Sequence, residues 1–90
     1  MTVEEIADYL KLLGFGIKHE DGLYEISYKY SDAIMRIWDA NPSVGLYIYG
    51  DGTVLLNALS KGYVVTPSMG ISRHFYDITN SNSSRDSWLH

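Results

Sequence analysis

The sequence predicts an α+β domain in which one N-terminal amphipathic helix packs on an antiparallel β-meander of four to six strands. Three observations carry that expectation. Apolar residues recur at three- and four-residue spacing over Thr2 to Leu13, which is helical periodicity. Beyond Gly14, short β-type runs alternate with turn residues at Asp21-Gly22, Ser31-Asp32, Ala40-Asn41-Pro42-Ser43 and Gly50-Asp51-Gly52. Hairpins drawn separately at these turns agree on one inner face, made of Ile17, Ile26, Tyr28, Met35, Ile37, Leu46, Ile48, Val54 and Leu56. Agreement between independently placed turns specifies a meander with one buried side.

The helix is marked at both ends. Thr2 and Glu5 form a Thr-x-x-Glu capping box, and Met1 is placed to staple onto Ile6. Glu4 and Glu5 in the first turn suit the helix dipole. Val3, Ile6, Ala7, Leu10 and Leu13 form the apolar stripe, and Gly14 supplies the left-handed residue that stops it. These opening residues resemble the first helix of a helix-turn-helix. A recognition helix with basic or amide side chains should then follow, whereas the chain enters Phe15-Gly16-Ile17-Lys18-His19 and a Glu-Asp-Gly turn.

A primed turn at Asp21-Gly22 pairs Ile17 with Ile26 and Lys18 with Glu25. A turn around Ser31-Asp32 pairs Ile26 with Ile37 and Tyr28 with Met35. The link from Ala40 to Ser43 pairs Ile37 with Leu46, Met35 with Ile48 and Arg36 with Tyr47. Ser31 to Asn41 also admits a helix capped by Ser31, with the strand preferred. A three-residue loop at Gly50-Asp51-Gly52, with Gly52 left-handed, pairs Ile48 with Val54 and Leu46 with Leu56. Its alternative is a helix over Thr53 to Lys61, capped by Thr53 and stopped at Gly62, which cancels that hairpin. Gly62 to Pro67 reads as a short edge strand halted by proline, Ser68-Met69-Gly70 as loop, and Phe75 to Ile78 as an apolar segment docked on the body. Residues 1–78 form one compact domain on this reading and 79–90 a flexible tail, because Thr79 to Ser87 has nothing to bury.

Composition narrows the function classes. The chain has 90 residues, 46% of them hydrophobic, with eight tyrosines and no cysteine. That describes one ordinary globular domain without a disulfide framework or a thiolate metal site. With no secretory leader and no stretch long enough to span a membrane, a cytoplasmic protein is expected. The net charge of −4 is concentrated in residues 1–45, where Glu4, Glu5, Asp8, Glu20, Asp21, Glu25, Asp32 and Asp39 face Lys11, Lys18, Lys29 and Arg36. Non-specific duplex DNA binding needs a basic footprint and is not expected.

Signals for catalysis are thin. Ser72, Arg73, His74 and Asp77 contain the residue types of a nucleophile-base-acid set, but so few positions apart they rarely converge in space. His19 reads as an exposed turn histidine. No histidine pair has helical metal-ligand spacing and no acidic run has the pattern of a calcium loop. Gly14-Phe15-Gly16 precedes a strand, so it is not a phosphate-cradling turn. No enzyme activity, metal or cofactor is expected.

The outer sheet face remains. The meander places Ile34, Arg36, Trp38, Tyr47, Tyr49 and Leu55 together there. Trp, Tyr and Arg dominate binding hot spots because they bury large areas at small entropic cost and keep a polar tip. Arg36, Trp38, Tyr47, Tyr49 and Leu55 are therefore the expected partner contacts, with Glu4, Glu5, Asp8, Glu20, Asp21 and Glu25 steering a basic protein. A single-stranded nucleic-acid binder stacking bases on the same rings is the alternative; a C-terminal segment folded over the face, or a homodimer through it, are others. A small, acidic, cysteine-free chain without enzyme signatures resembles, in size and charge, the stand-alone inhibitors made by phages and mobile elements, including anti-CRISPR proteins. The likeness covers no motif. It implies an inhibitor of a nucleic-acid-handling protein, acting in a bacterial host's cytoplasm and presenting its carboxylates in place of phosphates.

Overall fold

A computed structural model describes residues 1–68, 70 and 72–81. It opens with α1 (Val3–Leu12), whose N-cap Thr2 accepts the Glu5 amide at 3.1 Å, the forward half of the expected capping box. At the other end Gly14 takes φ +97°, and the amides of Gly14 and Phe15 donate to the carbonyls of Lys11 and Leu10. This Schellman closure delivers Phe15 to the core. Then come β1 (Gly16–Glu20), β2 (Leu23–Tyr28), β3 (Ser31–Asp39), β4 (Val44–Tyr49), α2 (Thr53–Gly62), β5 (Tyr63–Pro67) and β6 (Phe75–Ser81). The strands form one six-stranded sheet in the order β1-β2-β3-β4-β6-β5, antiparallel throughout. The fold is the α+β class read from the sequence, with a second helix added.

Two of the drawn hairpins hold in full register. Ile17 pairs with Ile26 and Lys18 with Glu25; Ile37 pairs with Leu46, Met35 with Ile48 and Arg36 with Tyr47. The β2–β3 turn is displaced. It falls at Lys29-Tyr30, so Tyr28 pairs with Ser31, Ile26 with Met35 and Tyr24 with Ile37, with an irregularity between Ile26 and Tyr28. Ser31 belongs to the strand, where its hydroxyl accepts the Ala33 amide at 3.1 Å, instead of to the turn. Because strand side chains alternate with period two, a two-residue slip leaves every residue on its expected face.

The Gly-Asp-Gly hairpin is not formed. Residues after Gly52 are helical, so neither Ile48–Val54 nor Leu46–Leu56 is a strand pair. The deciding interactions are local. The Asp51 carboxylate accepts the Thr53 amide at 3.1 Å and its hydroxyl at 2.7 Å, which directs the chain into a helix. The N-cap is Gly52 instead of Thr53 and makes no side-chain cap bond. Leu55 and Leu59, four residues apart, are then both fully buried. Val54, expected inside, is exposed.

Both helices lie on the same side of the sheet. Val3, Ile6, Ala7 and Leu10 of α1 and Leu55 and Leu59 of α2 join Tyr24, Ile26, Met35, Ile37, Val44, Leu46, Ile48 and Ile78 in a single core. Tyr9 ties the helices together: its hydroxyl donates to the Ala58 carbonyl at 2.7 Å and its ring meets Tyr63 edge-on at 5.2 Å. β5 is an edge strand ending at Pro67, as proline requires. β6 inserts between β4 and β5 and continues to Ser81, past the Ile78 boundary suggested by composition. Residues 82–90 of the expected tail, Trp88 and Leu89 among them, lie outside the described residues. No helix among the described residues is long and apolar enough to cross a membrane.

Candidate functional site

With the helices on one side, the opposite face of the sheet carries the alternate residues of each strand. Strand pairing defines one line across it: Glu20 opposite Leu23, Leu23 opposite Trp38, Trp38 opposite Gly45 and Gly45 opposite Asp77. The adjacent line runs Lys18, Glu25, Arg36, Tyr47, Phe75. No described helix packs on this face.

Gly45 shapes its centre. A Cβ built there would lie 2.3 Å from Trp38 Cε2 and 2.6 Å from its Nε1, so the indole rests directly on the glycine backbone. A side chain at 45 would hold the ring away from the sheet. Phe75 meets Trp38 edge-on, with centroids 6.1 Å apart, and meets Tyr47 at 5.1 Å. Together with Leu23 and Arg36 these rings line a shallow groove of about 320 Å³. Tyr49, 55% exposed, continues the aromatic surface, with the His74 ring 5.3 Å away. Nonpolar side chains held in mutual contact yet open on one side are what a partner-binding surface needs.

Arg36 is the charged member of the groove. Its guanidinium reaches Glu25 in one loose ion pair at 3.7 Å, with the arginine side chain 42% exposed. Its Nε is buried without a hydrogen-bond partner, a state that costs free energy until an acceptor is supplied. Arg36 and Leu23 also border a neighbouring hollow of about 350 Å³, completed by Lys18, Glu20, Asp21 and Glu25. In the strand register Glu25 lies between Lys18 and Arg36. Its charge is therefore compensated locally. Glu20, Asp21 and Asp77 form no ion pair among the described residues.

The expected contact set is largely brought together. Arg36, Trp38, Tyr47 and Tyr49 share the outer face, and they do so through the β3–β4 register instead of the Gly-Asp-Gly hairpin. Leu55 does not belong with them: it lies on α2, 1% exposed, in the core on the opposite side of the sheet. The six carboxylates divide in the same way. Glu20, Asp21 and Glu25 line the hollow beside the groove, whereas Glu4, Glu5 and Asp8 belong to the helix on the far side. Glu4 and Asp8 add to the effect of burial in raising the Tyr24 pKa. Glu5 acts on Tyr63, whose pKa burial also raises. The acids of α1 therefore make no single array with the sheet acids.

Sequence reasoning missed Leu23, Phe75 and Asp77 as members of this face. Leu23 was legible in principle, since it alternates with Glu25 and Ser27. Phe75 and Asp77 were not, because their place depends on β6 pairing with β4 across an intervening helix and strand. His19 is in β1 and not in the turn, stacked on Tyr24 with ring centroids 4.0 Å apart and planes 3° from parallel. In the Ser72 to Asp77 segment, the Ser72 hydroxyl accepts the His74 backbone amide, and the His74 ring faces Tyr47 and Tyr49. Among the described residues no group of three or more His, Cys, Asp or Glu is arranged to hold a metal ion. A scan of protein-family models finds none that matches this chain, and no curated protein or solved structure matches it either.

Proposed function

We propose that this protein is a non-catalytic binding module that seats a partner protein on its outer sheet face, with Trp38, Tyr47, Tyr49 and Arg36 as principal contacts. The observation that supports this most directly is the Trp38-on-Gly45 groove, an aromatic surface that no described helix covers. Its components are the residue types in which interface energy concentrates. Single-stranded nucleic acid would use the same rings, but it needs cations along the backbone track. Here Lys18, Arg36 and Arg73, the last beside Tyr49, are outnumbered by Glu20, Asp21, Glu25 and Asp77. A protein partner is therefore the better fit.

The more specific form of the proposal is inhibition of a nucleic-acid-handling protein in the cytoplasm. The net charge of −4 and the carboxylates beside the groove support it, since a basic surface is what they would steer. The test begins with capture of a partner from the native host lysate and measurement of its affinity for variants. Trp38→Ala and Tyr49→Ala each weaken binding by about 2 kcal/mol or more while the circular dichroism spectrum stays native. Full affinity in both variants would remove the face from the interface. Neutralising Glu20, Asp21 and Glu25 to their amides lowers affinity at low salt; a salt-independent, unchanged affinity refutes the steering role.

A further inference from the structure

The charges that bracket the groove specify the chemistry of its occupant. On the line Glu20, Leu23, Trp38, Gly45, Asp77 the apolar centre has a carboxylate at each end. Those ends are four strand spacings apart, roughly 19 Å. Asp21 adds a second carboxylate at the Glu20 end. Neither Glu20 nor Asp77 has an ion-pair partner among the described residues, whereas the one carboxylate nearest the middle, Glu25, pairs with Arg36 and stands opposite Lys18 in the strand register. The surface is thus negative at its two ends and neutral to apolar between them.

We infer that the groove binds a protein segment carrying one apolar or aromatic anchor between two basic side chains about 19 Å apart. The anchor fills the space bounded by Leu23, Trp38, Tyr47 and Phe75, one cation meets Glu20 and Asp21, and the other meets Asp77. In an extended segment, at about 3.3 Å per residue, the two basic residues stand six positions apart, and because side chains alternate, the anchor that shares their face lies four positions from the one that meets Glu20. Arg36 contributes through the carbonyls of that segment: its guanidinium holds a single loose ion pair and its Nε is buried, so the donors it offers to backbone acceptors are those of its partly exposed terminal nitrogens. This rests on the docking role proposed above and adds the identity of what docks.

Two synthetic peptides decide it, Arg-Ser-Ser-Ser-Phe-Ser-Arg and its charge-reversed counterpart Glu-Ser-Ser-Ser-Phe-Ser-Glu, titrated to millimolar concentration into the intact, isotopically labelled chain. The basic peptide shifts the Trp38 indole N–H and Leu23 methyl resonances. Its affinity falls about three- to tenfold in the Glu20→Gln, Asp77→Asn double variant, and that difference fades as salt is raised. The acidic peptide leaves both signals in place. Preference for the acidic peptide, or a double variant that binds the basic peptide as well as the wild type does, overturns the inference and leaves the docking role standing. So does the absence of any shift with either peptide, because the docking role is judged separately by whether Trp38→Ala loses the captured partner. If the Trp38 signal instead moves with protein concentration alone, the occupant is a second copy of this chain and the inference fails.

Discussion

Replacing Gly45 by Ala tests the centre of the groove without touching the hydrophobic core. The new Cβ would sit 2.3, 2.5 and 2.6 Å from three atoms of the Trp38 indole. Carbon atoms settle at about 3.5–4.0 Å, so the ring must lift by roughly 1.3 Å. It can do so, because the clash is with a side chain open to solvent on its other side and not with backbone. Lifting it removes its packing on the strand and loosens the edge contact with Phe75. Overpacking of this kind costs about 1–3 kcal/mol, and removing a glycine from a strand interior returns about 0.5–1 kcal/mol. The balance is a loss of about 1 kcal/mol, which for a domain of this length lowers Tm by about 4–8 °C.

Thermal unfolding measures that loss, and the Trp38 indole N–H resonance, recorded in a Trp88→Phe background to isolate it, reports the ring. In the wild type the Gly45 α-protons are displaced upfield by the indole above them; in Gly45→Ala that ring-current shift diminishes at position 45. A variant as stable as the wild type with an unmoved indole resonance would mean that the ring does not lie on Gly45, and the shape argued for the groove would fall with it.

Three further substitutions probe the frame that holds the face. Leu55→Ala empties a fully buried site on α2 and costs about 2–5 kcal/mol by urea denaturation; a cost near zero would restore Leu55 to the surface. Tyr9→Phe keeps the ring against Tyr63 but removes the hydroxyl bonded to Ala58, costing about 1 kcal/mol, and a neutral result would show that this bond does not tie the helices. Asp51 is held below its ordinary pKa of 3.8 by the Thr53 hydroxyl and then the Thr53 amide. A carboxyl with a depressed folded pKa stabilises fully above its unfolded value, and that contribution is lost as pH falls through the folded one. Asp51→Asn therefore flattens the acid side of the stability curve below pH 3.8, and identical acid limbs in the two proteins would contradict the part given to the Asp51–Thr53 bonds in starting α2.

What could be read from the chain was parity more than register. The face of each residue from Ile17 to Tyr49 follows from alternation, which survives a two-residue displacement of the turn at Lys29-Tyr30. The end signals of α1 were equally plain, since Thr2, Glu5 and Gly14 act within one turn of the helix. Thr53 to Gly62 was ambiguous because Val54-Leu55-Leu56 is apolar throughout and favours neither period. The choice rests on the Asp51 carboxylate acting on Thr53 and on buried places for Leu55 and Leu59 in a core not yet assembled in the sequence. The position of β6 has no local signal at all, since β4 is separated from it by a helix, a strand and a loop.

That misread helix is also what completes the site. Had the chain turned back at Gly50-Asp51-Gly52, the returning strand would have taken the free edge of β4 and set Thr53 and Leu55 beside Tyr49 and Tyr47. Because α2 instead crosses to the inner face, that edge is left for β6, which brings Phe75 opposite Tyr47 and Asp77 opposite Gly45. One exchange of neighbours therefore alters the character of the surface. An aliphatic patch becomes an aromatic groove, since Phe75 packs edge-on against both Trp38 and Tyr47. It also gains a carboxylate on the side away from Glu20. The contact residues expected from the sequence owe their common face to β3 and β4 alone, but the enclosure that gives them a shape, and the second charge that gives them a preference, come from the segment that the local pattern could not place.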